Sequence, residues 1–507
     1  MTSTPISSIP NIRVYPRSIH SGNLIPADNE GAPAVPVTCF LAQNEAGEHI
    51  LGVRSDSGAP LPFTEPLFVS GEDQFFAANE ENAAILRRIF PWLNPAPLEP
   101  AGMPSFGFGD RLGLATPGHI QALRAAGSSP VIAPVFAQQS VRENTRTGRT
   151  PQQVLDEAMW GVFQEGWHSP WGADADHLKQ LSDLEPFVKA GYSFYTVDPG
   201  EHVDPAADSD TPEILREKIA AQPWSDIDIQ PISADELASS FQRFCSSAKL
   251  ECDPQMLKTA ALRAMAKYGR AVLHITKMYR ALQDLKPDGF DFEASVDETD
   301  SPTTVFEHFY IASELRRLGV RFTSLAPRLT GRFEKGVDYI GDLQALEAEL
   351  QQHVAVMIAV GGYKLSLHSG SDKFSLYPLF ARRAGTSVHV KTAGTSYLEA
   401  LRVTASYDPD LFREILALAR RRYAVDRQSY HVSALEERLP EPEGLADDAL
   451  PGLLDDFHVR QALHVTFGSA LAQYGAALKD LLRARPEAYE QVLLAHFKRH
   501  LDPLLDL

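Results

Sequence analysis

The sequence predicts an α/β protein built on a (β/α)8 TIM-like barrel. Three observations carry that expectation. Eight short apolar runs lie between about residues 104 and 405, each ending in polar residues or glycine; most are followed by a helical stretch; and a chain of 507 residues is long enough for one large barrel with additions. Strands buried on both faces read as continuous apolar runs, and a strand that returns parallel through a helix does so by a right-handed crossover. In chain order the runs are SFGFGDRLG, SPVIAPVFAQQS, GADADHLK, GYSFYTVDPGEHVD, FDFEASVDET, VRFTSLAPR, YKLSLHSGSDK and TSVHVKTAGTS.

Three further segments surround or interrupt this rhythm. Residues 1–103 read as an N-terminal β-rich accessory segment, with VTCFLAQN and EHILGVRS as a hairpin around Glu45 to Glu48 and a short helix over Asn82 to Ile89. Residues 104–405 form the barrel. A helical insertion at about 205–290, including QMLKTAALRAMAKYGRAVLHITKMYRAL, separates the fourth and fifth strands as a lid or buttress. Residues 406–507 form a helical C-terminal extension, from DPDLFREILALARRRYAVDRQSYHVSA to PEAYEQVLLAHFKRHL.

Composition narrows the function. A hydrophobic fraction of 44% and a charged fraction of 22% are those of an ordinary globular protein. The 47 basic and 66 acidic residues leave a net charge of -19, which repels a polyphosphate backbone and argues against nucleic acid as partner. A local basic pocket for a small anion stays compatible with that balance. The first twenty residues lack an apolar signal core, and no run approaches the ~18 apolar residues that span a bilayer, so the expectation is a cytoplasmic protein with no membrane partner. Cys39, Cys245 and Cys252 match neither a zinc knuckle nor a CxxC pair and read as reduced core thiols. FGFGDRLG has GxGxxxG spacing with no acidic residue at the end of a second strand, so it reads as a turn rather than a dinucleotide site.

In a barrel of this type the chemistry sits at the carboxyl ends of the strands. Those ends carry Asp110 and Arg111, Arg142 and Glu143, Asp174 to His177, Asp198, Asp297 and Glu298, His368, and Lys391. In a regular strand Asp174 and Asp176 share one face and His177 takes the other, although a turn there brings all three into the cleft. A helix cap with surface charges fits the same letters. His177 and His368, each beside acids, are of the type that holds Zn, Mn, Ni or Fe in an open site. His308 falls at core spacing with Phe306, Phe309 and Ile311 and reads as packing or as a partner to a ligand. Arg142, Arg146 and Arg149, with Lys373 and Lys391, offer charge for a carboxylate or phosphate, while arginines at such loop spacing also fit plain solvated surface.

Several long strings, FGFGDRLGLATPGH, SVRENTRTGRTPQQVLDEAMWGVFQEGW, GADADHLK, FYTVDPGEHVD, VDETDSPTT, GRFEKGVDYIGD, HSGSDKFS and SYHVSA, resemble the tagaturonate/fructuronate epimerase family from about residue 104 to beyond 430. The resemblance implies a divalent-metal-dependent isomerase of bacterial hexuronate breakdown that interconverts D-tagaturonate and D-fructuronate. These ketohexuronates differ at carbon 4, which neighbours neither the ketone nor the carboxylate carbon, so enolisation alone cannot invert it. Without a nicotinamide site, retro-aldol cleavage between carbons 3 and 4 and re-addition to the other aldehyde face is the expected route. Residue type and position then assign His177 and His368 to the metal, Asp176 and Glu298 to acid/base work, and Arg142, Lys373 and Lys391 to substrate binding. Any role of Asp174, Asp198 and His308 in the ligand set is left open. The metal's identity and the number of associated chains, a homo-oligomer included, are left open. A metal-dependent aldolase, a ketohexose 4-epimerase and a non-catalytic sugar-acid binder are the alternatives.

Overall fold

The computed structural model describes residues 12–24, 34–55, 61–98, 102–127 and 131–505. Six antiparallel strands come first: β1 (Arg13–Val14), β2 (His20–Leu24), β3 (Val35–Gln43), β4 (His49–Arg54), β5 (Phe68–Ser70) and β6 (Asp73–Ala77). They run in the order β1-β3-β4-β6-β5, with β2 also on β3. The expected hairpin is β3–β4, and the expected short helix spans Glu80–Ile89 behind an Asn79 cap.

Eight parallel strands then close a barrel: β7 (Ser105–Phe108), β8 (Ala133–Ser140), β9 (Gly172–Leu178), β10 (Phe194–Val197), β11 (Asp291–Val296), β12 (Ser324–Pro327), β13 (Lys364–Leu367) and β14 (Val388–Thr392), with β14 pairing back onto β7. Each coincides with one of the eight apolar runs. Every residue of β8, β11, β13 and β14 is buried, as strands covered by helices on one side and filled by side chains on the other must be. Gly109 serves close approach, because a Cβ there would stand 2.5 Å from the Thr392 carbonyl oxygen across the closing seam. Capping boxes start the second helix after β8 and the first after β11: Thr150 with Gln153 for Pro151–Glu165, and Thr304 with Glu307 for Val305–Arg317.

The insertion between β10 and β11 includes three helices, Pro212–Ala220, Ala234–Ala248 and Pro254–Leu285. It braces the loop after β11. Buried Lys267 places its Nζ 3.0 Å from Asp208 and 3.0 Å from Glu307, and donates to Ser301 Oγ at 2.8 Å. The cysteine expectation needs correction: Cys245 and Cys252 form a disulfide, and only Cys39 is a free buried thiol. The helix ends at Ala248, and Lys249 at φ +55 reverses the chain, which brings the two Cα atoms to 6.3 Å.

Four helices dominate the C-terminal part: Pro409–Asp426, Phe457–Val465, Phe467–Ala484 and Pro486–Leu501. The helix expected to run through SYHVSA stops at Asp426. Arg427 donates to the carbonyl of Val432 at 2.9 Å, and Glu334 accepts from the backbone and hydroxyl of Ser433, so residues 430–433 run extended across the barrel mouth. Side chains from Tyr15 to Leu504 share one continuous apolar core. Among the described residues no helix is long and apolar enough to cross a membrane.

Candidate active site

His177 reaches the cleft by an irregularity in its strand. Along the β9–β10 ladder Ala175 pairs with Tyr195 and Leu178 with Val197, so Asp176 and His177 together face the single residue Thr196. His177 takes a left-handed conformation at φ +53, uncommon for a residue with a Cβ. The bulge cancels the alternation and turns Asp176 and His177 to one side. A non-glycine residue held in this region is the kind of local strain that clusters at functional sites.

His368, just past the end of β13, meets it. The two Nε2 atoms stand 2.9 Å apart. Each ring is oriented through its other nitrogen: His177 Nδ1 lies 3.3 Å from Asp198 Oδ2, and His368 Nδ1 lies 3.0 Å from Glu293 Oε1. Carboxylates at Nδ1 favour the tautomer protonated there, which leaves two Nε2 lone pairs converging on one point. Asp176 adds a carboxylate, with Oδ1 at 3.4 Å from His368 Nε2 and Oδ2 at 4.0 Å from His177 Nε2. Two imidazoles and a carboxylate with carboxylate-oriented rings are a donor set that suits a divalent cation. Burial opposes charge on His177, but Asp176 and Glu298 outweigh it and push the imidazole up to about 10.

Beneath this trio lies Lys391, with 1% of its surface exposed. Its Nζ stands 2.7 Å from Asp174, 3.0 Å from Asp176, 3.1 Å from Glu293 and 2.5 Å from Thr196 Oγ1. Burial opposes its charge, yet the three carboxylates hold the ammonium above its ordinary range. Asp176 is likewise penalised by burial but kept far below the usual carboxylate range by Lys391, His177 and His368. Lys373 is equally committed: its ammonium donates to the carbonyls of Glu334, Val337 and Ser371 at 2.8, 2.6 and 3.0 Å, and burial pulls its pKa down to about 7. Neither lysine has a donor left for a ligand.

A cavity of about 420 Å³ opens between the carboxyl ends of β11, β12 and β13 and the segment at residues 429–433. His368, Asp297, Glu298 and Arg142 line it. Arg142 sits in the first turn of the helix Val141–Thr147, which Ser140 caps directly at the end of β8. One of its terminal nitrogens is 3.9 Å from Glu298, and its guanidinium lies 5.2 Å from the centre of the Tyr430 ring. Glu298 Oε1 is also 3.8 Å from His177 Nε2. Burial works against its charge, but His177, Lys335 and Arg142 keep it ionised. The structure thus brings Asp176, His177, His368, Glu298 and Arg142 together and leaves Lys373 outside. His308 is elsewhere, between His353 Nδ1 at 2.9 Å and the Tyr363 hydroxyl at 2.6 Å, as packing behind the barrel.

Glu293, Lys335, Arg328 and Tyr430 escaped the sequence reading. Glu293 carried a signal, since an acid inside the apolar run FDFEASV needs a buried partner. The other three lie in loops whose path to the cavity no local pattern encodes.

Known proteins resemble this chain in sequence and fold. A family model described as UxaE, tagaturonate epimerase, matches residues 38–504. A tagaturonate/fructuronate epimerase of Thermotoga maritima is 43% identical over 471 residues, covering 92% of this chain and 94% of that protein. The native crystal structure of the fructuronate-tagaturonate epimerase UxaE from Cohnella laeviribosi superposes with a TM-score of 0.83 at 32% identity, covering 98% of this chain and 97% of that one. A glycerol complex of the same Cohnella protein gives 0.82 at 31% identity over 97% and 96%. The chain belongs to the tagaturonate epimerase family.

Proposed function

We propose that the protein interconverts D-tagaturonate and D-fructuronate by inverting carbon 4, counted from the hydroxymethyl end, with a divalent cation held by His177, His368 and Asp176. The observation that carries this reading is the pair of convergent Nε2 atoms, each ring turned by its own carboxylate, beside a cavity wide enough for a six-carbon acid. A cation bound there supplies Lewis acidity for negative charge developing on the sugar oxygens. Zn, Mn, Ni and Fe all suit the donor set.

The protein's own groups supply the rest. Asp176 stands among the cation's ligands, so the acid/base work falls to groups on the cavity wall. Glu298 takes the proton of the carbon 4 hydroxyl; the bond between carbons 3 and 4 breaks with its electron pair moving to carbon 3 and on into the ketone, and carbon 4 becomes an aldehyde. The aldehyde turns, the bond re-forms on its other face, and the new alkoxide recovers the proton that Glu298 took, passed back through the wall. Asp297, held by Ser295 Oγ at 2.6 Å and lining the same cavity, is the second carboxylate for that transfer. Arg142 keeps Glu298 ionised and in place. Lys391 neutralises the acids under the ligands, and Asp198 and Glu293 set the two rings.

Turnover of either ketohexuronate in deuterated water, followed by proton NMR, tests both the activity and the route. The expected result is the other epimer with its carbon 4 hydrogen retained. Formation of no epimer overturns the activity, and exchange of that hydrogen overturns the carbon–carbon cleavage.

A further inference from the structure

Four cations line the cavity, and three of them already face a protein group. Arg142 lies against Glu298, and Arg332 lies 3.5 Å from Glu334. Lys335 donates to the Ser369 hydroxyl at 3.3 Å, and its charge also bears on Glu298. Arg328 is different. It follows the last residue of β12, half-buried in the wall, and among the described residues its guanidinium has no acceptor at all. Its backbone is nonetheless fixed on both sides, the amide donating to Thr303 Oγ1 at 3.0 Å and the carbonyl accepting from the Thr303 amide at 2.7 Å. The Ser366 hydroxyl, 2% exposed and on the same wall, is also without a partner. A half-buried guanidinium on a pinned backbone, left unpaired in a protein of net charge -19, is arranged for an anion from outside.

We infer that Arg328, assisted by Lys335, is the anchor for the substrate's carboxylate, and that it retains the carboxylate-bearing fragment while the aldehyde turns. This rests on the function proposed above and extends it. Cleavage between carbons 3 and 4 leaves the carboxylate on the aldehyde fragment, with carbons 4 to 6, and the enediolate on carbons 1 to 3. The fragment that must change face is therefore the one a cation can hold. A bidentate guanidinium–carboxylate contact at carbon 6 permits rotation about the bond between carbons 4 and 5 while preventing escape. The anchor thus separates an epimerase from an aldolase that performs the same first step.

The test compares wild type with R328Q, R328K and K335M. In R328Q the KM for D-fructuronate should rise about 10- to 100-fold, the range lost with a hydrogen bond to a charged group. The inhibition constant of D-tagatose, which lacks the carboxylate, should move less than about threefold. R328K should recover part of the loss, K335M should show a smaller rise, and trapped dihydroxyacetone per turnover should increase in R328Q. An unchanged KM in R328Q, or equal shifts for the uronate and the neutral ketose, would overturn the anchor. A raised KM with no increase in free dihydroxyacetone would overturn the retention role. A wild-type protein inert on both ketohexuronates would instead bring down the function itself, so the two failures are told apart.

Discussion

His177 shows how much one residue's surroundings decide. Asp198 turns its ring, the bulge at φ +53 aims it, and Asp176 with Glu298 sets its protonation. Because a cation must displace the proton those carboxylates hold on the ring, affinity should rise as pH rises. Zinc titrations at about pH 6 and pH 8 check this; tighter binding at the lower pH would contradict the assignment. His177→Ala and His368→Ala should each lose most bound metal by elemental analysis, since each removes one of the three proposed ligands. Glu298→Gln should do something else: keep its metal and lose roughly 10²-fold or more in turnover, because it removes a proton acceptor and no ligand. Metal loss in Glu298→Gln would instead place Glu298 in the coordination shell.

At the scale of elements, the loop from β13 to the next helix carries His368 at one end and is locked at the other by Asp372. That residue sits at φ +58, receives Arg460 at 3.0 Å and His496 Nε2 at 2.6 Å, and donates its own amide to His500 Nε2 at 3.2 Å. Burial disfavours its charge, but Arg460 and His496 hold it well below the ordinary carboxylate range. Its contribution to stability is therefore full above about pH 4 and is lost only as pH falls towards the depressed folded value. Asp372→Asn removes the buried carboxylate that Arg460 and His496 share, leaving Arg460 only the longer 3.4 Å contact to Glu399, and should cost about 3–5 kcal/mol in urea unfolding; a loss under about 1 kcal/mol would show the network to be dispensable. The elements themselves were legible in the sequence, because each barrel strand is a continuous apolar run bounded by polar residues. The bulge was not, since GADADHLK reads as plain alternation. Nor was the break at Asp426, which depends on Glu334 far away in the chain capturing Ser433.

At the scale of the molecule, the barrel supplies the proposed ligands from β9 and just past the end of β13, orienting acids from β11 and just past the end of β10, and the cavity's second wall from the C-terminal extension. Residue types at strand ends made the histidines and Glu298 visible before the fold was known. Lys373 and Lys391 looked equally promising on that basis, and only three-dimensional packing shows their ammonium groups to be spent on carbonyls and carboxylates. Sequence reports where a charge lies along the chain but not whether another part of the chain has already neutralised it. The proposed function requires a single cation at His177, His368 and Asp176 for epimerisation at carbon 4. The most direct measurement strips the protein with chelator, adds back divalent metal stepwise, and follows conversion of D-tagaturonate to D-fructuronate by proton NMR. Activity should vanish on stripping and return with an end point at one equivalent per chain; full activity in the stripped protein, at confirmed metal-free content, would contradict the account.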